Sequence, residues 1–389
     1  MPADPTAFER FRLAVPEADL VDLRERLART RWPDAGPDDT WASGVPLDAL
    51  RTLAAHWQDG FDWRAEEARL NAFPQLTTTL DGERVHLVHA RSPEPAALPL
   101  LLTHGWPGSV LEMLDVLGPL TDPRAYGGDP ADAFHVVAPS IPGYPFSGPL
   151  RGPGWDPARI GRAWVTLMER LGYDRYGTQG GDWGSYVSRE VGVVAPEKVV
   201  GVHLNMLYQR PTEDEVAALG PLAPDEEERL DQVRRFQRDG AGYSHLQSTR
   251  PQTLAYALTD SPVGQLAWVV EKFHEWTDLT SGGLLADPVD RDRVLADVSA
   301  YWFTRTAGSS AQLYRAAARA GRTLRPLAVP TGVAVFPHDI VRPVRRLAER
   351  SDHLVHWTEM PRGGHFAAME EPGLLVDDVR TFFRGLRPT

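Results

Sequence analysis

The chain of 389 residues exceeds the roughly 250–300 residues at which a single hydrophobic core stops growing, so one large domain with substantial additions is expected. A hydrophobic share of 42% with 12 Trp, 10 Tyr and 13 Phe excludes disordered and fibrous classes; the absence of cysteine excludes disulfides, thiolate metal sites and a cysteine nucleophile, and suits a reducing, cytoplasmic compartment. A formal charge of −12 with dispersed arginines leaves no electrostatic footprint for nucleic acid or an anionic membrane, which makes a neutral small molecule the expected partner and a homodimer the only self-association entertained.

In chain order, the opening MPADPTAFERFRLAVPEADL has no basic stretch leading into an apolar one, and no window reaches about 18 apolar residues, so neither a secretory leader nor a membrane span is expected. Leu20, Leu23 and Leu27 recur at helical spacing, as do Leu47, Leu50, Ala54 and Trp57 after Pro46, predicting an N-terminal helical extension over 1–75. The period then changes. QLTTTL, an Asp81-Gly82 turn and RVHLVHA predict a hairpin, and LPLLLTH at 98–104 a buried strand. Helix 109–120, strand 135–140, helix 156–173, strand 175–180, helix 184–195 and strand 198–206 follow, the alternation of a mostly parallel sheet wrapped by helices. Residues 207–325 offer no convincing strand and predict an inserted helical cap. Strand 331–337, helix 341–350, strand 353–360 and a helix from Pro372 resume the sheet, giving a core of 76–206 plus 326–389.

Four constellations can carry chemistry. GGDWG at 180–184 lies between a strand and a helix, where a G-x-nucleophile-x-G turn lifts its central side chain, here Asp182, above the sheet's C-terminal edge. Its bland reading is an Asp in a Gly-rich turn; a similar Gly127-Gly128-Asp129-Pro130 lacks the following amphipathic helix. HGWPGS at 104–109 reads either as a Pro-Gly turn capped by Ser109 or as the loop that supplies an oxyanion-hole amide, in which case the donors are the backbone N–H groups of Trp106 and Trp183. His365, in PRGGHFAAMEEP after the last strand, stands where a triad base belongs, ahead of His104 and His338 as candidates. Asp339, between nucleophile and histidine in the chain, is the expected acid over Asp352 or Glu359, its bland reading being a helix N-cap. Metal-ligand spacings such as HExxH and a GxGxxG fingerprint are missing from the sequence, so neither a metal nor a dinucleotide cofactor is expected.

HGWPGS, GGDWG, the segment GYSHLQSTRPQTLAYALTDSPVGQLAWVVEKF at 242–273 and PRGGHFAAMEEP resemble the microsomal-type epoxide hydrolase family over nearly the whole chain. The resemblance implies an α/β-hydrolase fold with an N-terminal meander and a helical cap, and an Asp182 that attacks an epoxide carbon to give, after hydrolysis, a vicinal diol. It further implies that two cap tyrosines, Tyr243 in GYSHLQST and Tyr314 in SSAQLYR, assist the opening oxygen. The sequence departs from the membrane-anchored members by lacking their hydrophobic first helix, and from some members by having Asp rather than Glu at 339. A carboxylate nucleophile suits displacement at sp³ carbon, and the alkoxide it expels needs an acidic O–H opposite. The aromatic-rich cap points to an apolar, even aryl, epoxide with water as co-substrate. A haloalkane dehalogenase shares the Asp-His-acid logic and would use indoles such as those of Trp106 and Trp183 for halide. Outside enzymes, a non-catalytic binding protein would be expected to have lost part of the set Asp182, Asp339 and His365.

Overall fold

The computed structural model describes residues 7–283, 285–321 and 324–387. Residues 1–6 of the expected N-terminal extension, and 284, 322 and 323 of the expected cap, lie outside the described residues, as do 388 and 389 of the core.

Nine strands form one sheet: β1 (Glu9–Phe11), β2 (Gln75–Leu80), β3 (Glu83–Ala90), β4 (Leu98–Thr103), β5 (Phe134–Pro139), β6 (Tyr176–Gly180), β7 (Val199–Leu204), β8 (Leu327–Val335) and β9 (Asp352–Glu359), in the order β1-β2-β3-β5-β4-β6-β7-β8-β9. The first four in that order pair antiparallel, and from β5 to β9 every pairing is parallel. Parallel strands are covered on both faces, which is why β4 reads LPLLLT and β5 FHVVAP rather than alternating. Helices Pro157–Arg170 and Asp182–Val194 bury Trp164, Leu167, Val187 and Val191 in the core on one face. Helices Leu114–Thr121 and Pro372–Arg384 bury Leu117, Val379 and Phe383 in that on the other. This is the α/β-hydrolase arrangement anticipated from the sequence.

The β2–β3 turn has left-handed backbone at both Asp81 (φ 47) and Gly82 (φ 83), as a tight hairpin requires. Helix Glu17–Ala28 buries Leu20, Leu23 and Leu27, and Leu47–Asp59 buries Leu50, Leu53, Ala54 and Trp57, each stripe at the predicted spacing. The N-terminal region is not purely helical, because β1 adds an edge strand, and a third helix, Trp63–Asn71, starts where Asp62 accepts from the amides of Arg64 and Ala65. Between β7 and β8 the described chain is helical, ending in Pro262–Glu275, Pro288–Thr304 and Ala307–Ala320. Several boundaries shift by a few residues, most at β8 and the helix after it. Strand β8 starts earlier and stops at Val335, and the helix expected over 341–350 begins only at Arg345. Pro343 removes an N–H and disfavours helical backbone at Arg342, so the Val344 amide instead donates to the Gln209 side chain at 2.8 Å. No helix among the described residues is long and apolar enough to cross a membrane.

Candidate active site

Strand β6 ends at Gly180 and the next helix begins at Asp182, whose φ of 48 lies in the left-handed region that a non-glycine residue adopts only when its surroundings force it. The neighbouring glycines explain the forcing. A Cβ at Gly184 would fall on the Thr103 carbonyl, one at Gly180 on the Gly184 backbone and one at Gly181 on the Asn205 side chain. Strand end and helix start therefore approach too closely for any other residue, and the turn projects Asp182 above the sheet. Its Oδ1 accepts from the Trp106 amide at 2.8 Å. The amide of Trp183 lies in the first turn of the helix, at the positive end of its dipole. The similar Asp129 instead caps a single turn, accepting from the Ala131 amide at 2.9 Å.

His365 faces Asp182 from the loop after β9. Its Nε2 lies 3.6 Å from Asp182 Oδ2, and its Nδ1 is 2.7 Å from Asp339 Oδ1. Burial opposes a charge on this imidazole, but the carboxylates of Asp339 and Asp182 outweigh it and raise its pKa to about 10. Asp339 is no helix cap: besides His365 it accepts from the Ile340 amide at 2.7 Å. The competing acids are engaged elsewhere, Asp352 by Arg189 at 2.5 Å and Glu359 by Arg229 at 3.0 Å. Of the competing histidines, His104 accepts from the Ile141 amide at 3.1 Å, and burial lowers its pKa to about 4. His338 lies 3.3 Å from Asp278.

Tyr243, on helix Gly242–Thr249, and Tyr314, on Ala307–Ala320, hang over this site from the insertion. The Tyr243 ring stacks on Trp106 at 5.0 Å, the Tyr314 ring meets Trp183 edge-on at 4.7 Å, and the two phenols' rings are 5.9 Å apart. Burial, with Tyr243 and Asp182 nearby, pushes Tyr314 well above the usual phenol range. A cleft of about 630 Å³ is lined by Asp182, Trp183, Met206, Phe236, Tyr243 and Tyr314. Two clefts of similar size, about 560 and 780 Å³, share Arg305 on another flank of the insertion and include none of the predicted site residues. No group of three or more metal-ligating side chains occurs among the described residues.

Other polar residues at the site escaped sequence reasoning. Glu370 accepts from the Phe366 amide at 3.0 Å and the Asp278 amide at 2.8 Å, while the His365 amide donates to the Trp276 carbonyl at 2.8 Å; these bonds tie the histidine loop to the insertion. Glu370 stands in the quoted PRGGHFAAMEEP motif, the one signal that could have drawn attention to it. Behind Asp182, Glu112 accepts from the Gly105 amide at 3.3 Å, and Asp297 from the Ser109 hydroxyl at 2.5 Å.

Known families and proteins resemble this chain throughout. The family described as "Epoxide hydrolase N terminus" matches residues 8–113, and the "alpha/beta hydrolase fold" family matches 99–260. A "Putative epoxide hydrolase" of Stigmatella aurantiaca is 46% identical, aligned over 97% of this chain and 85% of that one. Epoxide hydrolase 1 of Sus scrofa is 33% identical over 98% and 89%. The solved structure of the Aspergillus niger epoxide hydrolase superposes with a TM-score of 0.86 at 32% identity, covering 98% of this chain and 97% of its own.

Proposed function

The chain belongs to the epoxide hydrolase family, and from that premise we propose that it opens an apolar epoxide, aryl epoxides included, through a covalent ester on Asp182. The observation that carries this reading is the convergence on one cleft of a carboxylate at a strained elbow, a histidine–aspartate pair behind it and two phenols opposite. With Oδ1 held by the Trp106 amide, Asp182 attacks a ring carbon through Oδ2. A phenol, Tyr243 or Tyr314, donates to the oxygen as the C–O bond breaks.

Alkylation neutralises Asp182. That removes two of the influences that keep His365 protonated, its hydrogen bond and its charge. The imidazole then gives up its proton, which restores the phenol that protonated the ring oxygen, and becomes the base for the second step. Water loses a proton to His365 Nε2 as it attacks Asp182 Cγ, and the developing oxyanion on Oδ1 is stabilised by the amides of Trp106 and Trp183. Collapse releases the diol with Oδ2, and Asp339 orients the ring throughout and stabilises the imidazolium each time it forms. Epoxide plus water balances to diol, so the step needs no cofactor. A cysteine-free composition supports the cytoplasm as the compartment.

The test is a panel of aryl and alkyl epoxides beside matched haloalkanes, with diol and halide measured for the wild-type enzyme and for Asp182→Ala. Diol formation that Asp182→Ala abolishes is expected. Halide release without diol would transfer the reading to a dehalogenase, and a few per cent or more of activity surviving in Asp182→Ala would remove Asp182 from the chemistry.

A further inference from the structure

On the core side of Asp182 lies a second, much smaller cavity of about 20 Å³, whose walls include Glu112, Gln179, Asp182, Asn205 and His365. A cavity of this size accommodates one water and no substrate. It is separate from the 630 Å³ cleft, and Asp182 is the residue that lines both.

Two buried polar side chains, Gln179 and Glu112, form part of its wall. Gln179, the residue before the elbow's first glycine, is buried; its Nε2 donates to Asn205 Oδ1 at 2.7 Å, and its Oε1 has no partner among the described residues. A buried amide oxygen left in this way costs on the order of 1–3 kcal/mol unless a ligand or water meets it. Glu112 is also buried, wedged so tightly beneath Gly108 that a Cβ there would strike its carboxyl group. Burial and then the charge of Asp297 push Glu112 well above the usual carboxyl range, which favours the protonated form that can donate.

We propose that this cavity seats the hydrolytic water, which gives one hydrogen to His365 Nε2 and the other to Gln179 Oε1 and accepts from the carboxyl O–H of Glu112. One lone pair then remains, free to attack Asp182 Cγ. The inference rests on the covalent reading above. As the water oxygen bonds to Cγ, its proton passes to His365 and the carbonyl electron pair moves to Oδ1; the Cγ–Oδ2 bond then breaks, the diol oxygen takes that proton from His365, and the proton left on the Asp182 carboxyl passes to the imidazole, restoring the carboxylate. Glu112 and Gln179 are thus positioning residues for the second half-reaction, with no part in the first.

Single-turnover experiments, with quenching and intact-protein mass spectrometry, separate the two halves by following the adduct as it forms and decays. In Gln179→Met and in Glu112→Leu the adduct should form within about threefold of the wild-type rate and decay at least about tenfold more slowly. Glu112→Gln, which keeps a donor in place, should restore decay to within about threefold. Should Glu112→Leu fail to fold, Gln179→Met decides. Wild-type decay in Gln179→Met, or formation slowed as much as decay, would overturn the water site while leaving the covalent reading intact. His365→Gln serves as the control. If no adduct appears even there, the covalent reading itself fails and takes this site with it.

Discussion

Replacing Asp339 by Asn tests how the histidine is governed. In the native protein Asp339 Oδ1 lies 2.7 Å from His365 Nδ1, and both side chains are buried. With charge centres about 4 Å apart and an effective dielectric of about 20, their attraction is worth about 4 kcal/mol. That corresponds to about three pK units. The imidazole, at about 10 in the native protein, should therefore fall to near 7 in Asp339→Asn, a shift readable by NMR titration of the His365 ring. The kinetic consequence is sharper, because an Asn amide donating to Nδ1 would leave the proton on Nε2, where a water must deliver its own. Ester hydrolysis should slow by about 10²–10⁴-fold, in line with what loss of the orienting acid does elsewhere. Alkylation, which does not use His365 as a base, should stay within about tenfold. The assay is single-turnover mixing with adduct quantified by mass. Hydrolysis at the wild-type rate, or an unmoved His365 titration, would refute the assignment of Asp339.

Three further outcomes are expected. Tyr243→Phe and Tyr314→Phe should each slow alkylation by about 10²-fold, and the double variant should nearly stop it; wild-type single-turnover rates in both single variants would reduce the phenols to packing. Asp182→Asn, which removes a charge and a hydrogen-bond partner, should lower the His365 pKa from about 10, and the same NMR titration reads it directly. Away from the site, Asp378 accepts from His203 and His356 at 2.9 Å each and from Thr358 at 2.6 Å. Burial opposes its charge, but these donors outweigh burial and hold the carboxyl below the usual range. A depressed carboxyl stabilises fully above its unfolded pKa of about 4 and loses that contribution as pH falls further. In urea unfolding, the stability gap between wild type and Asp378→Asn should therefore narrow by about 1 kcal/mol per pH unit below about 4.

Where the chain punctuates its periods strongly, the sequence could be read. Apolar β4 and β5, the Asp81-Gly82 hairpin and the Leu20, Leu23, Leu27 stripe all have the local chemistry of the element they form. The elbow was legible because its backbone admits so few residue types: glycines at 180, 181 and 184 are dictated by contacts with Gly184, Asn205 and Thr103. Strand β1 was not, since three residues cannot display a period of two and their pairing partner, β2, starts more than sixty residues later. Glu112 was equally invisible. In SVLEMLDVL it reads as an ordinary polar residue of an amphipathic helix, and only the assembled fold buries it and brings Asp297 close from a distant helix of the insertion. The same holds for the Glu370 bonds to the Asp278 and Phe366 amides, which depend on how the insertion folds back over the histidine loop.

The central claim is that Asp182 becomes covalently bound to the substrate, and one measurement addresses it most directly. His365→Gln should still be alkylated yet unable to finish, so intact-protein mass spectrometry after mixing with an epoxide should find the enzyme heavier by one whole substrate. Digestion should locate that mass on the peptide containing Asp182. In a single wild-type turnover in ¹⁸O-water the diol should then carry unlabelled carboxylate oxygen, with ¹⁸O left in Asp182. An unmodified His365→Gln enzyme, together with ¹⁸O in the first diol released, would mean that water opens the ring directly and would contradict the account.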